Sequence, residues 1–349
     1  MYKRQVLGEA VGAVVLKRLD RALADGDHVH AVLLGSGTNG DGKTNGITAP
    51  SARSQAELIT RVHRRAGVRP EEIGYVEAHG TATPLGDPIE VKALKEAFGD
   101  APGRCGLGSV KANIGHTTTA AGVAALVKLV LSLKHRRLAP TPGFTSLNTD
   151  IDLTGSPFFM VTESTDWPAG PAGRRIGAVS SFGFSGTNCH LVVAEPPARP
   201  AATAPAPAEV LVPLSATSEA ALTRRVSDLA VALAAPDAPA LADVAFTLAT
   251  GRRHLPVRAV FGARDLSGLR AALAAGATAI GPVAEAYLRG EDVDWRAVLP
   301  QGARRVPLPG YPFTRDRYWP AEQHTGQQIE HQAEPNPEPP TDPSRFECV

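Results

Sequence analysis

Val76-Glu-Ala-His79-Gly-Thr-Ala-Thr-Pro-Leu-Gly-Asp-Pro-Ile-Glu90 is the stretch whose reading decides the fold. The run from Ile73 to Ala78 is short and apolar, and reads as a buried strand that delivers His79 at its end. Asp87-Pro88 then opens a helix, with Asp87 as N-cap and Pro88 at the first helical position. The spacing predicts that this helix runs to Phe98 and stops at Gly99. Strand, Gly/Thr-rich turn and helix together form the repeating unit of a layered α/β fold.

The same alternation extends from residue 6 to about 196. Gly12-Ala-Val-Val-Leu16 and Ala31-Val-Leu-Leu34 read as buried strands, and Gln55 to Ala66 as a helix closed by Gly67. Gly106 to Val110 is another short strand. Thr118 to His135 predicts a helix apolar on most faces, which belongs inside a layered domain. Phe158 to Thr162, Arg175 to Ser180 and Leu191 to Ala194 follow as strands. Pro196 to Ala208 is Pro/Ala-rich without a period and reads as a linker. Beyond it, Val210 to Ser215 and Arg258 to Ala263 read as strands. Ser218 to Ala235, Leu241 to Thr250 and Leu266 to Leu273 read as helices, with Ser218 as an N-cap.

Bulk properties exclude several function classes. The 349 residues suffice for about two domains. Thirty-six basic against thirty-five acidic residues leave a net charge of +1 and no basic field for nucleic acid. The three cysteines, Cys105, Cys189 and Cys348, are widely spaced and form no metal-ligand pattern. An odd count fits a reducing cytoplasm rather than a disulfide framework. No signal peptide and no bilayer-spanning apolar run is present, so neither membrane nor metal is expected.

Two further motifs accompany the first: Gly108-Ser-Val-Lys111-Ala-Asn-Ile-Gly-His116 and Ser180-Ser-Phe-Gly-Phe184-Ser-Gly-Thr-Asn188. In this order the three resemble those of the ketosynthase domains of modular type I polyketide synthases. The resemblance covers residues 6 to about 320. It implies an α/β chain that is the C-terminal half of a thiolase-like layered αβαβα fold, followed by a small α/β linker domain. The implied division is a non-native leader over 1–5, the ketosynthase C-terminal half over 6–197, a linker over 198–213, and an acyltransferase-docking-like adaptor over 214–282. An extended tail packing back on the ketosynthase follows over 283–320, then a disordered linker over 321–349. No acyltransferase-sized segment and no Gly-x-Ser-x-Gly separates adaptor and tail, a layout similar to synthases whose acyltransferase acts in trans.

The activity implied is β-ketoacyl synthesis, a decarboxylative Claisen condensation of an acyl thioester with a malonyl-type extender. The substrate carrier is the phosphopantetheine arm of acyl carrier protein, and no cofactor is bound covalently to this chain. His79 and His116 match the histidines whose ring N–H groups steady the enolate, and Lys111 matches the lysine that sets the site's charge balance. Glu90 either pairs with Lys111 or closes a capping box as the N3 residue after Asp87; Asn113 supports the second motif. Thr81 and Thr83 match threonines that bind the pantetheine amides, the alternative being turn chemistry. Ala82 stands where glycine is commoner, and is expected to crowd the arm. Gly183 and Phe184 match the loop that completes the oxyanion hole, with the Phe184 ring a gate or else a core aromatic. His63 reads as a satisfied core or surface residue. The nucleophilic cysteine is absent from the chain, so the chain alone is expected to be inactive. The alternative is a docking module that recruits a separate acyltransferase or carrier protein. The intact parent is expected to be a homodimer. The apolar helix at 118–135 is expected to pack on the missing half and, when exposed, to drive aggregation.

Overall fold

The computed structural model describes residues 6–44, 46, 49–198 and 209–314. The leader at 1–5, most of the 198–208 linker and the chain from residue 315 lie outside the described residues, along with the expectations that fell on them. The elements in chain order are α1 (Leu19–Ala24), β1 (Val32–Gly40), α2 (Ala52–Ala66), β2 (Tyr75–Glu77), α3 (Gly86–Phe98), β3 (Cys105–Gly108), α4 (Lys111–Ile114), α5 (Ala121–His135), β4 (Arg137–Leu138), β5 (Phe158–Met160), β6 (Thr165–Asp166), β7 (Ile176–Phe182) and β8 (Thr187–Ala194). After the linker come β9 (Val210–Ala216), α6 (Glu219–Ala232), α7 (Leu241–Thr250), β10 (Val257–Ala263), α8 (Leu266–Ala275), α9 (Pro282–Leu288) and α10 (Trp295–Val298).

Six strands form one mixed sheet in the order β1-β8-β7-β2-β3-β5. β2 lies at its centre, parallel to both β3 and β7, so a fully buried short strand is the arrangement expected of its apolar run. α2 and α3 cover one face through Leu58, Ile59, Val62, Leu94 and Phe98. α5 covers the other through Ala125, Leu129 and Leu133. α2 carries both of its end signals. The Ser51 hydroxyl accepts from the Ser54 amide, and Gly67 closes the helix at φ 63°. The adaptor pairs β9 with β10 antiparallel. In it, Ser218 caps α6 as expected, and Asp265 caps α8 in the same way.

Several expectations are corrected. Residues 12–16 form no strand: Val11 and Val15 are fully exposed, and the segment's one bridge joins Leu7 to His116. An apolar strand becomes buried through the strands beside it, and among the described residues 12–16 pairs with none. Asp87 is not the N-cap of α3, which begins at Gly86; the Thr83 hydroxyl accepts the Gly86 amide instead (3.1 Å). α5 is apolar all round but buried on one face only. Its other face, with Val127 exposed, borders an apolar groove of about 520 Å³ shared with Val11, Ile114 and Val123. The expected extended tail is largely helical over 283–298, with Pro282 opening α9 and Asp294 capping α10, while the strand expected from Val210 is present as β9. Non-helical chain begins only where the prolines cluster.

Residues 304–306 are stitched to two elements at once. The Arg304 amide donates to Asp243 (2.9 Å) and the Val306 amide to the Thr247 hydroxyl (2.9 Å), both on α7. The Arg305 amide donates to the Gly26 carbonyl (3.0 Å), and its guanidinium pairs with Asp27. A second compact unit begins at Tyr311, where the Tyr311 and Phe313 rings meet edge-on at 5.0 Å. Among the described residues no helix is long and apolar enough to cross a membrane, and no cluster of His, Cys, Asp and Glu is arranged to hold a metal.

His63 is a core residue with a hydrogen-bond partner, as expected. It is buried on α2, and its Nε2 meets Nε2 of the fully buried His190 at 3.2 Å, while Ser180 Oγ lies 3.0 Å from His190 Nδ1. One proton between two Nε2 atoms requires the accepting ring to be neutral, and burial lowers both rings, which keeps the pair uncharged. Burial holds His63 down to about 4. The unfolded ring protonates near 6.5, so the unfolded chain binds protons first. The fold's stability is therefore full above about pH 6.5 and declines as pH falls towards 4.

The open face and the histidine pair each have a measurable consequence. Replacing Val127 and Leu131 together by Glu should shift the chain from self-associated to monomeric in light scattering, while changing urea stability by less than about 0.5 kcal/mol. In that variant, His63→Leu should flatten the loss of urea stability between pH 6.5 and 4.5 by up to about 1.4 kcal/mol per pH unit; an unchanged slope would refute the neutral-pair account.

Candidate active site

β2 ends at Glu77 and the chain turns at Gly80, whose φ is 44° and where an added Cβ would stand 2.8 Å from that of Ser109. Only glycine allows this approach. Both oxygens of the buried Glu90 carboxylate hold the turn, accepting from the His79 amide (2.8 Å) and the Gly80 amide (2.9 Å). Glu90 therefore does not close a capping box on its own helix; it caps the end of β2 from across the turn. Burial pushes its carboxyl up to about 7, against the two amides and Lys111, which favour its charge.

The second motif brings His116 to the same place. The rings of His79 and His116 stand 5.9 Å apart at 88°, and His79 also packs on Phe182 at 5.6 Å. His116 Nδ1 accepts from the Thr118 amide (3.0 Å), which places its ring proton on Nε2. His79 Nδ1 is enclosed without a hydrogen-bond partner. An enclosed lone pair costs less than an enclosed N–H, so the His79 proton also belongs on Nε2. Both rings are neutral at ordinary pH: burial, then Lys111 and His116, hold His79 down to about 3, and burial, then Lys111, lower His116. Burial lowers the Lys111 ammonium, opposed first by Glu90. Lys111 makes its contribution through space, since no carboxylate among the described residues lies within ion-pair distance of it. The arrangement offers two neutral N–H donors beside a positive charge, suited to an oxygen on which negative charge develops.

The other expected residues are distributed around this pair. Thr81 and Thr83 join hydroxyl to hydroxyl at 3.2 Å, and Thr83 also takes the α3 amide, so the turn chemistry is present. Asp87 lies in the first turn of α3, its carboxyl raised by burial and opposed by the amides of Thr83, Ala82 and Thr81. Ala82 has φ 55°, which explains glycine's suitability here through the backbone rather than through crowding of a ligand; a side chain in this region costs about 1 kcal/mol. Phe184 is 83 % exposed, so it is not a core aromatic. The Gly183 amide is committed to Thr187 O (2.7 Å), and Gly186 N returns to Gly183 O (2.9 Å). Asn113 is exposed and faces the α5 groove, not the histidines.

Residues outside the three motifs hold the Gly183–Gly186 turn. The Asp41 amide donates to Gly186 O (2.8 Å), and Asn188 Nδ2 donates to Asp41 Oδ1 (2.7 Å) and Asn39 Oδ1 (3.2 Å). Thr118, which fixes the His116 tautomer, also stood outside the motifs. Its one sequence signal was its position two residues after a motif histidine.

Comparison with known proteins identifies the family. Residues 30–145 match the model of the beta-ketoacyl synthase C-terminal domain, and residues 148–261 that of the ketoacyl-synthetase C-terminal extension. The chain is 37% identical over 359 residues to polyketide synthase PksL of Bacillus subtilis (strain 168), covering 90% of this chain and 8% of that protein. It is 45% identical over 290 residues to polyketide synthase GfsA of Streptomyces halstedii, covering 77% of this chain and 4% of that protein. The ketosynthase from module 6 of the bacillaene synthase of Bacillus subtilis 168 superposes with a TM-score of 0.76 at 36% identity, covering 87% of this chain and 60% of that chain. The chain is thus a layered α/β piece of a multifunctional enzyme type, spanning a small fraction of the synthases and under two thirds of the solved ketosynthases. It belongs to the ketosynthases of modular polyketide synthases, as their C-terminal domain with its extension.

Nitrogen-15 spectra of the imidazoles should show His116 as the Nε2–H tautomer, neutral at pH 7. A protonated or Nδ1–H ring at that pH would remove the Thr118 assignment.

Proposed function

We propose that the chain supplies the enolate-stabilising half of an elongating ketosynthase acting on malonyl-type thioesters carried by the phosphopantetheine arm of acyl carrier protein. The observation that carries this reading is the pair of imidazoles 5.9 Å apart, both kept neutral by burial and Lys111, with the Thr118 amide placing the His116 proton on Nε2. As the malonyl carbon–carbon bond breaks and carbon dioxide leaves, the electron pair passes into the thioester and charge develops on its oxygen. Two N–H donors aimed at that oxygen lower the barrier. The enolate carbon then attacks an acyl thioester, expelling a thiolate, and this step requires a nucleophilic cysteine carrying the acyl chain.

No described cysteine suits that role. Cys105 is buried in β3 and Cys189 half-buried in β8, and burial raises both thiols, opposite to what a nucleophile needs. The chain alone therefore performs decarboxylation without condensation. Thr81 and Thr83, at the rim of the histidine pair, offer hydroxyls to the pantetheine amides. The likeness to bacillaene synthase ketosynthases, and the direct run of chain from adaptor to tail, support an acyltransferase acting as a separate protein, with acyl carrier protein as the direct partner.

Incubated with malonyl- and acyl-loaded carrier protein, the chain should release carbon dioxide and form no β-ketoacyl product. His79→Ala or His116→Ala should slow that release by about 10²–10³. A β-keto product, or release unchanged in both variants, would overturn the assignment.

A further inference from the structure

Glu77 is fully buried and has no part in the chemistry proposed above. It is the last residue of β2, two positions before His79, and its side chain lies on the α5 side of the sheet with Tyr75. One carboxylate oxygen, Oε2, accepts the Tyr75 hydroxyl (2.6 Å) and faces Lys128 Nζ at 3.0 Å. The other accepts from the Val110 amide. Val110 immediately precedes α4, which begins with Lys111 and leads to His116. Two further links span the same gap: Ala78 N to Gly108 O (2.8 Å) and Ser109 Oγ to Gly80 O (3.3 Å).

Lys128 is the single charged residue within α5 before its last turn, and its side chain is 10 % exposed. Its ammonium makes no hydrogen bond that relieves burial beyond the pairing with Glu77. Burying a carboxylate and an ammonium beneath an apolar helix is costly, and a well-packed apolar pair would serve packing alone at least as well. The partners chosen by the carboxylate point elsewhere: it binds the amide that starts the His116-bearing turn to the strand that carries His79. Its charge also stands near Lys111, whose ammonium it favours.

We infer that Glu77, with Lys128 as its counter-ion, is a positioning residue that sets the spacing between His79 and the Lys111–His116 turn. The inference rests on reading the two histidines as the enolate donors. It places a third layer behind the site: imidazoles in front, Glu90 and Lys111 beside them, and the Glu77–Lys128 pair locking the two loops from below.

The test uses the chain labelled with nitrogen-15 histidine, with His254 of the adaptor as an internal reference ring. Glu77→Ala should move the His79 and His116 ring signals and leave His254 in place. It should also lower kcat for carbon dioxide release from malonyl-carrier protein about a hundredfold, with KM within about twofold. The paired change Glu77→Gln with Lys128→Met keeps an acceptor for Val110 without a lone buried charge, and should restore both readouts where either single change does not. Should Glu77→Ala fail to fold, the comparison of the pair with its two single variants decides. Ring signals and kcat that stay at wild-type values in Glu77→Ala, or in Glu77→Gln alone, overturn the inference. A wild-type chain that releases no carbon dioxide removes the enolate reading, while the ring signals still judge the spacing role.

Discussion

The site depends on the grip of one carboxylate on two consecutive backbone amides. A central parallel strand must end somewhere, and its last amides point into the site rather than into a ladder. Glu90, one turn into α3, accepts from both His79 and Gly80. That contact fixes the angle at which His79 leaves the sheet, and it fixes α3 against the sheet by the same act. The left-handed turn at Gly80 and the close approach of Ser109 are consequences of this geometry.

Charge within the site is arranged so that the donors remain uncharged. Burial and the Lys111 ammonium both disfavour an imidazolium at His79 and at His116. A neutral ring keeps one N–H and one lone pair, and at His116 the Thr118 amide consumes the lone pair. A donor that is already oriented requires no reorganisation as charge appears on the substrate oxygen, which is the physical basis of such catalysis. The second histidine pair, His63 with His190, uses neutrality differently, as an internal tie between α2 and β8.

Much of this was legible in the residues. The strand before His79, the helix to Phe98, the Gly67 stop and the Ser218 cap follow from local chemistry, and local chemistry decided them. Resemblance placed His79, His116 and Lys111, and the rings do share one space. What escaped was whatever depends on partners distant in sequence. Glu90 looked like the third residue of a capping box because nothing local says that it reaches across the turn. His63 was readable as a satisfied core or surface residue, but its partner was not, because His190 lies on β8. The segment at 12–16 looked buried because its pattern describes the neighbours it requires, not those it has. The role of Lys128 becomes readable only with Glu77 beneath it.

The segment from Val6 to Leu16 touches the site at one point. Leu7 bridges to His116, whose amide donates to Val6 O (2.7 Å) and whose carbonyl receives Gly8 N (3.1 Å). The backbone of the second imidazole is thus laddered to a ribbon that is otherwise exposed to water. Any surface that held residues 6–16 would therefore bear directly on the backbone that carries this imidazole.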